Sequence, residues 1–264
     1  MNSLIDIGAN LTHSSFDNDV ESSITRAKKV GVDKILVTGA NRESTEKALH
    51  LSNQYPSTLY STAGVHPHHA SEYNSSIDSF LRKTAIHPKI VAIGECGLDY
   101  FRNLSPSLDQ KKAFKQQLEI AVDLNKPVFL HQRDAHKDFL DLLKPYIGSI
   151  SGGVAHCFTA GKKELECYLD LGLFIGITGW ICDERRGQEL RDAVKSLPLN
   201  RVMIETDSPY LMPKHLNNKK QGRRNEPSNL PHILNALSHY MEKDIDSIAK
   251  ASTENAIKLF KLEV

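Results

Sequence analysis

Near the ends of five apolar runs stand residues that can bind a cation or carry a proton: His66, Glu95, His131, His156, and the pair Glu205 and Asp207. Taken singly, a histidine at the end of a core strand is a hydrogen-bonded core residue more often than a ligand. Imidazole nitrogens and carboxylate oxygens gathered in one concave place are different, because they form the donor set of a divalent cation with a position left open for water. The acid pair is the most telling. In "VMIETDSPYL" (202–211) Glu205 and Asp207 lie two residues apart, so on a strand they share a face while Thr206 takes the other. Like charges on a core-facing surface are costly unless something cationic compensates them. A metal resolves the conflict, with Asp207 as a ligand and Glu205 orienting water or a group behind the metal.

The elements that must position these residues can be read from hydrophobic patterning. Eight short runs are rich in Val, Ile and Gly and almost continuously apolar: 4–11, 34–39, 60–67, 90–100, 127–134, 152–158, 173–180 and 202–209. That pattern belongs to parallel strands covered on both faces. Between them lie stretches with helix caps and stops, such as 17–31 ending at Gly31, 107–125, 162–172 and 187–198. Strand then helix, eight times in 264 residues, predicts a (β/α)8 TIM barrel rather than an open doubly wound sheet. Residues 228–263 are expected to supply one or two last helices covering the outside. No linker, charge block or repeat divides the chain, so 1–264 reads as one domain. Catalytic groups of such barrels sit at the C-terminal strand ends, where the six residues fall.

Other residues near that rim have weaker claims. The loop "KHLNNKKQGRRNEP" (214–227) carries Lys214, Lys219, Lys220, Arg223 and Arg224. Leaving strand eight on the active side, it is expected to bind substrate phosphate through Arg223 and Arg224, with Asn225 beside them. Asn225 and Glu226 also suit a helix cap. In "VHPHH" (65–69) His66 is nearest the strand, while His68 and His69 read as loop residues, either of which could touch a leaving group or phosphate. Trp180 and Tyr210 could stack a base, although packing is the commoner use of such aromatics. By alternation from Glu95 and His156, Cys96 and Cys157 are expected to point at the helix layer and pack there.

Composition bounds the partners. With 33 basic and 32 acidic residues the net charge is +1, so a polyanion would need a local basic patch. Four cysteines without CxxC spacing suit a reducing compartment, and no apolar segment approaches a membrane span. These features predict a cytoplasmic protein with no membrane partner.

The stretches "DIGANLT" (6–12), "STAGVHPH" (61–68), "VAIGECGLDY" (91–100), "NKPVFLHQRDAH" (125–136), "HCFT" (156–159), "IGITGWICDERRG" (175–187), "IETDSPYL" (204–211) and "RRNEP" (223–227) resemble the TatD family of metal-dependent deoxyribonucleases over essentially the whole chain. The resemblance implies an amidohydrolase-like barrel and 3′-to-5′ exonuclease action on single-stranded DNA and RNA. It places metal ligands at Glu95, His131, His156 and Asp207, a further acid at Glu205 and a phosphate-side histidine at His66. Many relatives carry H-x-H on the first strand, where this chain has Gly8 and Asn10, which points to one tightly held ion rather than two.

The leading expectation is therefore a phosphodiesterase, in which water activated at the metal and oriented by Asp207 or Glu205 attacks phosphorus. Mg2+ is expected from the resemblance, whereas imidazole-rich ligation would suit Mn2+ or Zn2+. The substrate partner is single-stranded DNA or RNA and the chain is expected to be a monomer. Hydrolysis of aminoacyl-tRNA esters or of a small-molecule amide is the enzymatic alternative, because barrel and metal do not fix the electrophile. A nucleic-acid-binding protein with a vestigial site is the non-enzymatic one.

Overall fold

The computed structural model describes residues 3–216 and 224–263. Eight strands form one parallel sheet in sequential order: β1 (Leu4–Ala9), β2 (Val32–Val37), β3 (Leu59–Ala63), β4 (Ile90–Asp99), β5 (Val128–Arg133), β6 (Gly153–Ala155), β7 (Phe174–Ile177) and β8 (Val202–Ile204). The ring closes just past β8. Ala9 pairs in parallel with Ser208, and the backbone N–H groups of Asn10 and Asp207 donate to Ser208 and Gly8 at 2.7 and 2.8 Å. Asp6 ties the same seam from within. Fully buried, it accepts the Gly8 and Thr206 N–H groups at 3.2 and 2.9 Å and the Thr206 hydroxyl at 2.6 Å.

Each crossover is helical: α1 (Val20–Lys29), α2 (Arg42–Gln54), α3 (Ser75–Thr84), α4 (Ser107–Asp123), α5 (His136–Leu143), α6 (Lys162–Asp170) and α7 (Gln188–Val194). Two helices follow β8, α8 (Leu230–Met241) and α9 (Ile245–Phe260). The barrel interior is filled by side chains from every strand, among them Ile5, Leu36, Tyr60, Phe129, Phe174 and Met203. Burying one such side chain stabilises the fold by roughly 2 kcal/mol. The expectation that the last helices only cover the outside needs correction. Leu259 and Phe260 of α9, with Leu262 beyond it, join this interior cluster and plug one end of the barrel. Among the described residues no helix is long and apolar enough to cross a membrane.

Helix α4 anchors two of the strand ends that matter for chemistry. Gln110 and Gln117 are seven apart and so share a helix face, and both are buried. Gln117 accepts from Val65 N–H at 2.7 Å and donates to Val65 O at 3.0 Å, fixing the backbone beside His66. Gln110 brackets Asp99 in the same way at 2.8 and 3.1 Å.

Candidate active site

Opposite the plugged end, the loops after the strands surround a cavity of about 650 Å³ whose wall includes His66, Glu95, His131, His156 and Asp207. The three imidazoles share one focus. Oε1 of buried Glu95 lies 3.2 Å from His66 Nε2, 3.0 Å from His131 Nδ1 and 2.8 Å from His156 Nε2. The Phe129 ring lies under His156 at 4.6 Å between centroids.

Charge in this knot follows from burial and neighbours together. Burial alone would raise the Glu95 carboxyl, but the surrounding imidazoles hold it well below the usual carboxylate range. Burial would lower His156, yet Glu95 and Glu205 carry it well above an ordinary histidine. His66 goes the other way, down to about 4, because burial outweighs Glu95. A neutral His66 ring holds one proton. Its Nδ1 accepts from the His68 backbone N–H at 3.1 Å, so the proton resides on Nε2.

Two acids complete the site from opposite sides. Asp99, on the same β4 face as Glu95, accepts from His68 Nε2 at 2.9 Å and stands 3.4 Å from His131 Nε2. That nitrogen is buried and makes no hydrogen bond within the described residues. Asp207 sits in left-handed backbone (φ 52°) with Oδ1 accepting from Asn10 Nδ2 at 3.1 Å. Burial, with Glu95 and Glu205 nearby, pushes it up to about 7.

Glu205 does not line the cavity. It is fully buried beneath it, one oxygen accepting from Cys157 N–H and the other facing His156 Nδ1 at 3.3 Å. A Cβ on Gly8 or on Gly176 would overlap its carboxylate. The first strand therefore contributes room at position 8, not a ligand, while Asn10 contributes a hydrogen bond to Asp207. The shared-face argument for the two acids fails because β8 stops at Ile204, ahead of both.

The rim loop departs from expectation. Arg224 turns away from the cavity, donates to Ser15 O at 2.7 Å, pairs with Asp19 and Glu226, and covers the Phe16 ring at 4.6 Å. Asn225 is fully buried, donating to Thr206 O at 2.9 Å, so it secures the segment after β8 rather than facing a phosphate. Lys214 is paired with Asp183 at 2.7 Å. Arg223, Lys219 and Lys220 lie outside the described residues. Cys96 packs in the outer core as alternation predicts. Cys157 does not: β6 ends at Ala155, the residue takes φ 47°, and it lines the cavity with Sγ 3.7 Å from Thr178 Oγ1. His68, read from sequence as a loop residue able to reach a phosphate, lines the cavity, as do Asp99, Arg102 and Arg133, which the sequence had not singled out. The four-residue spacing from Glu95 along one strand would have found Asp99.

The model of the family of TatD related DNases matches residues 5–261. The chain belongs to that family. Among TatD relatives, the 3′-5′ ssDNA/RNA exonuclease TatD of Rahnella sp. (strain Y9602) is 48% identical, covering 98% of each chain. The protein of the same name from Pectobacterium parmentieri (strain WPP163) is 47% identical, over 98% of this chain and all of the relative. The crystal structure of YJJV, a TatD homolog from Escherichia coli K12, superposes with a TM-score of 0.90 at 30% identity, covering 98% of each chain.

Proposed function

We propose that this member of the TatD family is a divalent-metal-dependent 3′-5′ exonuclease acting on single-stranded DNA and RNA. The observation that carries the reading is the convergence of three imidazoles on one carboxylate oxygen in an open cavity, in a chain nearly half identical to exonucleases. The donor set fits a cation: His66, Glu95 and His131 offer nitrogen and oxygen atoms that all lie within 4.8 Å of one another, and His156 Nε2 lies 2.8 Å from the same Glu95 oxygen. Glu95, His131 and His156 would hold it, with Asp207 completing the set. When bound, the cation polarises the phosphoryl oxygens and makes water a stronger acid.

The chain's own groups do the rest. His66 holds its proton on Nε2 and donates it as a hydrogen bond to a non-bridging phosphate oxygen, where charge grows in the transition state. Asp207 has Oδ1 tethered by Asn10, which aims Oδ2 at the cation site and at the water beside it. Glu205 acts through His156, fixing the proton on Nδ1 so that Nε2 is free to ligate. Mg2+ is the expected ion, with Mn2+ able to replace it.

End-labelled single strands digested with and without chelator, then with Mg2+, Mn2+ or Zn2+, test the reading. Stepwise shortening from the 3′ end that chelator abolishes is the expected result. Chelator-resistant cleavage, or hydrolysis only of an ester substrate supplied in parallel, would overturn it.

A further inference from the structure

Cations of α1 and of the loops after the strands divide into two groups. Arg186 and Lys214 are paired with Asp183, and Arg26 and Arg224 with Asp19 and Glu226. Arg102 and Arg133 line the cavity, and among the described residues neither is held by an ion pair. Arg133 lies two residues beyond His131 on β5, so it shares that face about 7 Å further out. Its guanidinium lies over the Phe101 ring, 3.7 Å from the centroid.

Phe101 is itself out of place for a packed protein. It is 58% exposed, and with Tyr210 at 52% it is one of two strongly exposed aromatic side chains among the described residues. Tyr210 lines the cavity after β8, and Phe101 is adjacent to it, next in sequence to Arg102 and covered by Arg133, both of which line the cavity. An exposed ring forfeits its burial free energy unless something covers it in the working state. An aromatic face backed by a guanidinium, next to a second cation, suits an unpaired nucleobase and its phosphate.

We infer that Phe101 and Arg133 form a stacking subsite for the nucleotide adjacent to the scissile bond, with Phe101 taking the base and Arg133 and Arg102 its phosphate. The subsite rests on the nuclease reading for its substrate class. It accounts for selection of single strands, because a paired base cannot reach the ring without leaving its partner.

The test separates binding from chemistry. A short phosphorothioate strand carrying 2-aminopurine next to the 3′ end is titrated with the full-length protein in Mg2+, following anisotropy and quenching of the fluorophore. Phe101→Leu is expected to weaken binding about tenfold and abolish the quenching, while Phe101→Trp retains both. Arg133→Gln is expected to reduce the slope of log K against log salt by roughly 0.7. On a strand with an abasic residue at that position, Phe101→Leu should match wild type. Unchanged affinity and quenching in Phe101→Leu, or an equal loss on the abasic strand, would overturn the subsite. Wild-type protein that quenches the probe yet cleaves no oligonucleotide would refute the nuclease reading and leave the subsite standing. Wild-type protein that binds no strand overturns both.

Discussion

Replacing Glu205 by Gln changes neither the size of the side chain nor its place between Gly8 and Gly176, yet it should loosen the metal. Glu205 accepts two hydrogen bonds, from Cys157 N–H and from His156 Nδ1–H. An amide has one acceptor oxygen. If that oxygen serves Cys157, the amide donates to His156 Nδ1 and drives the ring proton to Nε2, the atom needed as a ligand. If it serves His156, the amide N–H opposes Cys157 N–H. The first outcome reverses the bond that fixes the ring proton and the second leaves the Cys157 N–H unpaired, either costing about 1.5–3 kcal/mol at a fully buried site. That corresponds to a metal Kd roughly 10- to 100-fold weaker, the range for losing a group behind a ligating histidine. Calorimetric titration of metal-free protein measures it, with a urea unfolding curve to check that the barrel is intact. A folded Glu205→Gln protein that binds Mg2+ and Mn2+ with wild-type affinity would refute the positioning argument.

His66→Ala should leave metal affinity within about threefold while lowering kcat at least tenfold, because its Nε2 carries a proton; loss of metal binding in the same calorimetric assay would make it a ligand instead. Arg224→Ala should cost about 1 kcal/mol in urea unfolding and leave the salt dependence of KM unchanged, since its partners are Asp19 and Glu226; a flatter salt slope would put it back on the substrate. Asp6 is raised to about 7 by burial, so between its unfolded value of 3.8 and about 7 the native state binds the extra proton and stability falls as pH rises. From pH 5 to pH 7.5 wild type should lose about 2.5 kcal/mol relative to Asp6→Asn in denaturant titrations, and parallel curves for the two proteins would contradict this.

The barrel was legible because parallel strands buried on both faces leave continuous apolar runs, and eight such runs have few other arrangements. The ligand-type residues were legible because His66 and His156 follow their strands and Glu95 and His131 lie in the C-terminal halves of theirs. What periodicity could not show was where a three-residue strand such as β6 or β8 stops, since so short a run carries less than two periods. That is why Cys157 and the two acids after Ile204 were given the wrong faces. Arg224 was misplaced for a different reason: its partner Asp19 lies 205 residues away, and no local pattern announces such a pairing. The glutamines of α4 were overlooked because a buried amide on a helix looks like an ordinary polar surface residue until its backbone partners are known.

The aromatic plug contributed by α9 gives the cavity a single doorway. Phe260 and Leu259 close the far end, and Phe129 floors the reacting groups, so nothing can thread through the barrel. For an enzyme that trims a chain from its end, the released nucleotide must back out past the strand that delivered it. Each cut then obliges the shortened strand to withdraw before it can advance again. Traffic of this kind favours one removal per encounter over a long run, and it makes accumulated mononucleotide a competitor for the entrance.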